Sequence, residues 1–551
     1  MSETPAISEA TIAEAERLLG VDYSSAERLL MADNIAGQIE LARKRRAVKL
    51  PATLAPATRF DPRLPGWRAC DAGSFRPSDG PALPLPERDE GIAFAPVTQL
   101  ARWIRGGALT SQRLTEIYLA RIERFAPKLK CIALSTPDLA REQARRADRL
   151  LAGGVYLGPL HGIPWGAKDL LDTSGITTGW GAEPYRNRIP EGDATVVRRL
   201  AEAGAVLVAK TTLGALAFGD IWYEGRTRNP WNIEEGSSGS SAGSASATAA
   251  GLVGFSIGTE TLGSIVAPSI RCGTTGLRPT FGRVSRAGAM ALCWSLDKIG
   301  PICRSVEDTA LVTQAINGFD EADPCSIGMP FGYDAGAPVA GLRLGYYPKD
   351  LELEGADELD RGAIEAARRV GLVLVPLERP DLPYGALMNV LHAEAAAAFE
   401  ELTLDNRDDE LTWQEARAWP NTFRKARFLS AVDHVQLDRL RRLVMQNMDE
   451  AFESVDAMIG PCLIGPMLII TNFTGHPALV MRSGFRQSPT RGPLSLARAR
   501  IEQGTEASGP QFTVPHALCL YGRLFDEGTI LRIGHALEKE LGVSESRPPL
   551  A

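Results

Sequence analysis

The chain has 551 residues, of which 44% are hydrophobic and 23% charged, and its net charge is −7 at pH 7. This is the composition of an ordinary globular protein, and the length allows a large core or several domains. The negative net charge argues against a dominant nucleic-acid or anionic-membrane surface, and no stretch is long and apolar enough to span a membrane. We therefore expect neither nucleic acid nor a membrane as a partner.

The first 92 residues differ in character from the rest of the chain. Residues 1–50 form a predicted N-terminal helical segment, because residues 8–50 carry apolar side chains at spacings of three and four. Ser24 or Ser25 is the candidate cap of its second helix. Residues 51–92 contain eight prolines and predict a linker or an arm that lies on the surface.

From residue 93 to about residue 545 the pattern predicts one α/β domain. Helices are predicted over 98–125, 194–203, 241–251 and 358–370 and in a long region over 385–455, with strands over 163–167, 205–209, 253–258, 342–345, 372–375 and 457–459. Residues 488–509 are polar and proline-containing and predict a loop inserted between strands. Strands that alternate with helices predict a sheet with helices on both faces.

The cysteines and histidines indicate no metal site. The eight cysteines and six histidines are scattered and form neither a CxxC pair, a zinc-ligand spacing nor an HExxH motif, so we predict no metal and no cofactor. Most cysteines sit in apolar runs, as buried free thiols do. With a polar, acidic start (MSETPAISEA) that shows no secretory signal, this predicts a cytoplasmic protein.

A lysine at the end of an apolar segment is the first candidate for chemistry. Lys168 closes the sequence GIPWGAK, and burial there would lower the pKa of its ammonium by disfavouring the charged form. A base that works near pH 7 needs a pKa about three units below the ordinary value, which corresponds to roughly 4 kcal/mol. The residues alone leave open a structural alternative, in which Lys168 pairs with the neighbouring Asp169.

A stretch dense in glycine and serine is the second candidate. Residues 236–246 (GSSGSSAGSAS) are followed by GTETLGS, which ends at Ser264. Such density is typical of a flexible linker, but here it runs into a periodic helix and a buried strand, which favours an ordered site. A tight turn before Ser264 would aim consecutive backbone N–H groups at one point, as an oxyanion hole does; a plain glycine-containing turn is the alternative.

Several ordered motifs make this sequence resemble the amidase signature hydrolases. They are GIPWGAKD (162–169), SGSSAGSASATAAGLVGFSIGTETLGSI (238–265), CGTTGLRPTFGRVSRAG (272–288) and SLDKIGPICRSVEDTALV (295–312), with weaker matches over 471–481 and 521–538. The resemblance covers roughly residues 93–543. It implies a central mixed sheet covered by helices on both faces, to which this chain adds an N-terminal helical extension.

The resemblance implies a Ser–Ser–Lys triad. Ser264 would be the nucleophile, and Ser240, reached through a cis peptide after Gly239, would bridge it to a neutral Lys168. Ser241 would support the nucleophile by hydrogen bonding. The implied oxyanion hole consists of the backbone N–H groups of Thr261, Leu262, Gly263 and Ser264.

The sequence departs from the family's usual residues near this triad. Ala242 and Leu262 stand where glycine is usual, Glu260 stands in place of aspartate, and Val266 in place of arginine. The missing arginine removes the cation of a local ion pair, and Arg271 is the candidate replacement. The triad positions themselves are intact, so we predict an active enzyme.

Four residues are candidates for the substrate pocket: Met290, Trp294, Met388 and Leu391. The alternative for these residues is ordinary core packing. If they line the site, the group that they hold is apolar.

The leading interpretation is an amidase that hydrolyses the carbon–nitrogen acyl bond of a small-molecule amide through a serine acyl-enzyme. Aryl amides, carbamates and esters are kept as related substrates, because the same oxyanion forms. The alternative is the A-type subunit of a glutamine-dependent amidotransferase that acts with partners. A third interpretation is a non-catalytic protein that binds a partner through its N-terminal helices. A homodimer is left open.

Overall fold

The computed structural model describes residues 7–71, 73–492, 494–495, 500–501 and 510–550. Its helices are α1 (Glu9–Leu19), α2 (Ser25–Arg46), α3 (Asp89–Ala93), α4 (Val97–Arg105), α5 (Ser111–Leu129), α6 (Pro137–Ala152), α7 (Thr195–Glu202), α8 (Ala242–Ala249), α9 (Val266–Cys272), α10 (Val306–Ile316), α11 (Glu358–Arg369), α12 (Met388–Ala398), α13 (Glu400–Leu404), α14 (Trp419–Ala426), α15 (Ala431–Glu453), α16 (Met467–Phe473) and α17 (Glu527–Leu541). None of these helices is long and apolar enough to cross a membrane.

The strands are β1 (Phe75–Arg76), β2 (Ile132–Ser135), β3 (Pro164–Lys168), β4 (Val206–Thr211), β5 (Ile221–Trp222), β6 (Gly225–Arg226), β7 (Arg228–Asn229), β8 (Asn232–Gly236), β9 (Phe255–Glu260), β10 (Thr275–Arg278), β11 (Lys298–Cys303), β12 (Tyr333–Asp334), β13 (Arg343–Tyr346), β14 (Val373–Pro376), β15 (Ala457–Pro461), β16 (Ala478–Ser488), β17 (Leu494–Ser495), β18 (Arg500–Ile501) and β19 (Phe512–Gly522). The predicted strands of the α/β region all have counterparts here.

One mixed sheet of eleven strands organises the molecule. Its order is β14-β13-β15-β19-β16-β10-β11-β9-β3-β4-β2. Strand β3 pairs in parallel with β4 and with β9, whereas β9 pairs antiparallel with β11. Every residue of β3, β4, β9 and β11 is buried. Because successive side chains of a strand point to opposite faces, both faces of the sheet are covered at these strands, as predicted.

Two helices form the start of the chain, where the apolar spacing predicts them. Ser24 caps α2 in a capping box with Glu27, which decides between the two candidate caps. An ion pair of 2.7 Å between Arg28 and Glu16 joins α2 to α1. No residue of α2 is buried. The two helices therefore lie on the surface of the body.

The prediction of a single helix over 98–125 is wrong, because the structure has two helices, α4 and α5, in this region. The chain leaves α4 at Gly106, and Gly107 adopts a φ of +73°, which favours glycine. Thr110 then caps α5 by accepting a hydrogen bond from Arg113 N at 3.1 Å. The apolar spacing continues across the break because both helices pack on the same core.

The predicted insertion lies between two long antiparallel strands. Strands β16 and β19 pair from Ala478 opposite Tyr521 to Ser488 opposite Phe512. Most of residues 488–509 lies outside the described part of the chain. The long helical region predicted over 385–455 is divided among α12, α13, α14 and α15.

The thiols follow the expected pattern, with one addition. Cys70 is exposed and the other seven cysteines are buried and free. Cys462 and Cys519, which are far apart in the sequence, lie with their Sγ atoms 2.7 Å apart. Strand pairing of β15 with β19 brings these two segments together.

Candidate active site

Lys168 ends β3 with its side chain completely buried. Its Nζ lies 2.8 Å from Ser240 Oγ, 2.8 Å from Thr259 Oγ1 and 3.0 Å from Ser241 Oγ. Burial lowers the pKa of Lys168 well below its usual range, and the charges of Asp297 and Glu260 offset only a part of this. The amine is therefore surrounded by hydroxyl groups and favours its neutral form.

The alternative of a structural pair between Lys168 and Asp169 is not what the structure has. Asp169 Oδ2 accepts a hydrogen bond from Gly179 N at 3.0 Å, and Asp169 Oδ1 lies 3.9 Å from Nζ of another buried lysine, Lys210. Successive residues at the end of a strand point in opposite directions, which separates the two side chains. Asp169 thus pairs with Lys210 on the far side and leaves Lys168 to the hydroxyls.

Ser240 lies immediately before α8, and the peptide bond that joins it to Gly239 is cis, as the resemblance implies. Position 239 accepts only glycine, because an added Cβ would stand 1.8 Å from the carbonyl oxygen of Gly219. The Ser240 hydroxyl is almost fully buried and faces Lys168. The chain path through Gly239 thus fixes the hydroxyl nearest to the amine.

Ser241 connects three parts of the site. Its Oγ accepts a hydrogen bond from Thr259 N at 3.1 Å and donates to Thr259 O at 3.1 Å, besides its contact with Lys168. Its backbone N–H donates to the carbonyl of Ser264 at 3.1 Å. Ser241 therefore ties strand β9 and the Ser264 segment to the turn that carries Ser240, which agrees with a supporting role.

Ser264 lies in the connection from β9 to α9 and is 8% exposed. The bond from Ser241 N and a bond from Ala267 N to Gly263 O (2.7 Å) fix the backbone on both sides of it. Gly263 adopts a φ of +84°, a conformation that glycine adopts readily. The two candidate serines therefore lie on adjoining, tightly held segments.

The loop before Ser264 has unusual backbone hydrogen bonding. Within the described part of the chain, the N–H groups of Thr261, Leu262, Gly263 and Ser264 donate to no other group. All four residues are nevertheless buried. Buried backbone N–H groups are almost always paired, so four consecutive unpaired donors indicate a place for an acceptor that the chain does not supply. This is what an oxyanion hole requires.

Glu260 supports this loop from behind. Its Oε2 accepts hydrogen bonds from Ile265 N at 2.8 Å and Val266 N at 2.9 Å, just after the candidate nucleophile. Its Oε1 accepts from Arg278 Nη1 at 2.7 Å. Burial raises the pKa of Glu260, but the charge and hydrogen bond of Arg278, the bond from Val266 N and the charge of Lys298 together lower it to about 2. Glu260 is therefore an ionised anchor for the start of α9.

Arg271 is the predicted replacement for the arginine that Val266 displaces, but a different arginine lies beside Glu260. Arg271 pairs with Glu235 at 3.2 Å, on a separate part of the molecule, whereas Arg278 supplies the cation beside Glu260. The sequence analysis also missed Thr259 as a neighbour of Lys168. A signal was available, since Thr259 is the next-to-last residue of β9 and so lies at the end of the strand beside the predicted oxyanion loop.

A cavity of about 140 Å³ adjoins these residues. Thr259 and Thr261 form the wall that it shares with the Lys168 cluster. Of the four predicted pocket residues, Met290 and Trp294 line the cavity. Leu391 lies in the main hydrophobic core and Met388 packs against it from the same helix, α12, and neither residue lines this cavity.

Known proteins resemble this chain over most of its length. The family model described as Amidase matches residues 113–531. The A-type subunit of the glutamyl-tRNA(Gln) amidotransferase from Geobacter metallireducens is 36% identical over 468 residues, which cover 78% of this chain and 94% of that protein. The crystal structure of the native peptide amidase from Stenotrophomonas maltophilia is 29% identical, with a TM-score of 0.69, over 83% of this chain and 98% of that one.

A third comparison concerns the fold alone. A bacterial aryl acylamidase of the amidase signature enzymes is 21% identical, with a TM-score of 0.66, over 83% of this chain and 99% of that chain. The predicted α/β architecture with its large mixed sheet is thus confirmed by the solved structures as well as by the strand order. From the extent of the family match and of the similarity to these relatives, we conclude that the chain belongs to the amidase family, the amidase signature enzymes.

Proposed function

We propose that this protein is an amidase that hydrolyses the carbon–nitrogen acyl bond of a small, uncharged amide through a Ser264 acyl-enzyme. The observation that carries the proposal is the fully buried Lys168 whose Nζ lies 2.8 Å from Ser240 Oγ, with no carboxylate within ion-pair distance among the described residues. A buried amine that lacks an ionic partner is a base near neutral pH.

In the proposed reaction, neutral Lys168 takes a proton from Ser240 as Ser240 takes the proton of Ser264. Ser264 Oγ forms a bond to the substrate carbonyl carbon, and the carbonyl oxygen becomes an oxyanion held by the unpaired N–H groups of the loop over 261–264. Ser240 then returns a proton to the leaving nitrogen as the carbon–nitrogen bond breaks. Water attacks the acyl-enzyme by the same proton route and releases the acid.

The charged groups of the cavity wall support an uncharged substrate. Arg286 donates to Asp323 at 2.8 Å and to Trp294 O at 2.6 Å. Asp297 accepts from Thr261 Oγ1 at 2.7 Å and from two backbone N–H groups. Arg286 is thus paired with Asp323, and Asp297 and Lys298, which also line the cavity, hydrogen-bond to groups of the protein itself. The remaining wall is largely apolar.

A second function has an observation in its favour. The curated relative from Geobacter metallireducens belongs to a glutamyl-tRNA(Gln) amidotransferase, so an A-type subunit that takes ammonia from glutamine with partner subunits is the alternative. The ion pair of Arg286 with Asp323 favours the free-standing amidase over this alternative, because it occupies the guanidinium that could otherwise bind the carboxylate of glutamine.

The test uses the purified full chain alone. We expect release of ammonia from benzamide or acetamide, and covalent labelling of Ser264 by a fluorophosphonate located by peptide mass. Ser264→Ala should lower kcat on the order of 10⁴-fold or more and abolish labelling. Ser246→Ala is the matched control, because the Ser246 hydroxyl donates to Arg228 O at 2.8 Å on the other side of α8. This variant should keep both the kcat and the labelling of the unchanged chain.

Two outcomes would count against the proposal. Labelling at another serine, or turnover that survives Ser264→Ala, would overturn the nucleophile. Glutamine hydrolysis that appears only in the presence of amidotransferase partner proteins, with no turnover of neutral amides, would favour the alternative.

A further inference from the structure

The N-terminal arm, which follows α2, forms part of the cavity beside Lys168. Ala52, Thr53 and Ala55 line the same cavity as Thr259 and Thr261. We call these three arm residues the wall segment. They lie outside residues 113–531, the part of the chain that matches the amidase family model. The wall segment is therefore a part of this cavity that the family match does not account for.

The wall segment is held in place at its start. Trp294 lines the cavity and donates from its indole Nε1 to the carbonyl oxygen of Ala52 at 3.0 Å. A buried indole N–H usually takes a partner, and here that partner is the arm itself. The large aromatic side chain thus joins the arm to the rim of the cavity.

The arm is held again a few residues later. The Arg441 guanidinium lies over the Phe60 ring, 3.5 Å from its centroid, and the Phe60 ring meets Phe281 edge to face at 5.0 Å. Arg441 also donates to Ser295 Oγ at 3.0 Å and Ser295 O at 2.8 Å, next to Trp294. The contact at the start of the wall segment and the contact after it therefore lead back to the same short stretch of the body, Trp294 and Ser295.

The size and lining of the cavity indicate which groups it accepts. Its volume is about 140 Å³. An apolar protein cavity of about 150 Å³ holds one benzene molecule. Opposite the wall segment lie apolar side chains, including Met290, Leu292 and Ile299. With the arm in place, the cavity has room for about one ring or a short branched chain, and the wall segment is one of the boundaries that a larger group would meet.

We propose that the wall segment determines substrate specificity by limiting the group held in the cavity beside Thr259 and Thr261 to about the size of a single ring. This inference rests on the proposed amidase function for its consequence in turnover, but not for its consequence in binding. The size limit is set by residues 52–55 and not by the catalytic strands.

The test compares two alanine-to-leucine changes that lie two residues apart. Ala55 is half-buried and lines the cavity, whereas Ala57 is exposed and does not line it. Ala55→Leu places three additional carbon atoms in the cavity. We expect it to lower the ratio of kcat/KM for benzamide to kcat/KM for acetamide at least ten-fold, and we expect Ala57→Leu to leave that ratio within two-fold of the unchanged chain.

A binding measurement separates this inference from the proposed function. Benzamide is titrated calorimetrically into the Ser264→Ala chain, with Ala55→Leu or Ala57→Leu added, after circular dichroism has shown equal folding. We expect Ala55→Leu to weaken benzamide binding to the Ser264→Ala chain at least ten-fold in Kd, and we expect Ala57→Leu not to weaken it. If neutral amides are not hydrolysed but this difference in Kd is found, the wall segment stands and the amidase proposal fails. Equal Kd values in both variants, or no benzamide binding in either, overturn the proposed role of the wall segment, whether or not the protein hydrolyses amides.

Discussion

Replacing Arg278 by methionine should destabilise the protein and impair catalysis together. Arg278 Nη1 lies 2.7 Å from Glu260 Oε1, and both side chains are fully buried. Removing one partner of such a pair leaves the other charge uncompensated, which costs about 3–5 kcal/mol. Arg278 also donates to Thr471 Oγ1 at 2.8 Å and His476 O at 2.9 Å, so we expect a loss toward the upper end of this range.

The pKa of Glu260 gives a separate magnitude for the same pair. It is about 2 in the folded protein against an ordinary value of 4.5. At about 1.36 kcal/mol for each pKa unit, the ionised carboxylate stabilises the fold by about 3 kcal/mol. Because the pKa is lower in the folded state, this contribution is present above pH 4.5 and is lost as the pH falls toward 2. Arg278→Met should remove this loss of folding stability at acidic pH.

The assay is urea unfolding at neutral and acidic pH, followed by tryptophan fluorescence, together with kcat measured on the folded variant. Arg283→Met is the matched control, because Arg283 forms an equally buried pair of 2.7 Å with Glu527 and does not line the cavity. Both variants should lose stability, but only Arg278→Met should lose kcat, since Glu260 holds the start of α9 behind Ser264. A loss below about 1 kcal/mol for Arg278→Met, or equal effects of both variants on kcat, would refute the reasoning.

Three further predictions concern the catalytic cluster. In the unchanged chain kcat/KM should rise as the pH rises through the lowered pKa of Lys168. In Lys168→Ala this rise should vanish, and activity should fall by several orders of magnitude. A variant whose pH profile keeps the rise would assign the rise to another group. Ser241→Ala leaves Thr259 N without its acceptor, so we expect a loss of about 1–3 kcal/mol in urea unfolding and at least a ten-fold lower kcat, and an unchanged kcat would contradict the supporting role. Gly239→Ala would place a Cβ 1.8 Å from Gly219 O and should abolish fluorophosphonate labelling, whereas Gly362→Ala, where a Cβ meets nothing within 4 Å, should label normally; equal labelling would refute this.

The sequence predicts the centre of this site better than its surroundings. Lys168 and the serines lie in short motifs whose function depends on local chain path, so the motifs locate them directly. Arg278 is different, because its partner is chosen by the pairing of β10 with β11 and of β11 with β9. That register brings Arg278 to Glu260, although Arg271 is nearer to Glu260 in the sequence. No local sequence pattern predicts this pairing. The same holds for Ala52, which reaches the cavity from a proline-rich arm.

The arrangement of carboxylates explains how a lysine stays neutral in this fold. Two acidic groups are close enough to raise the pKa of Lys168, Asp297 and Glu260, but each is already occupied: Glu260 by Arg278, and Asp297 by Thr261 and backbone N–H groups. Their charges are thus partly compensated before they act on Lys168. At hydrogen-bond distance the lysine meets three hydroxyls and the carbonyl oxygen of Thr259, which satisfy the amine without stabilising a proton as a carboxylate would. We therefore expect that loss of the Glu260–Arg278 ion pair raises the pKa of Lys168 and in this way lowers kcat at neutral pH.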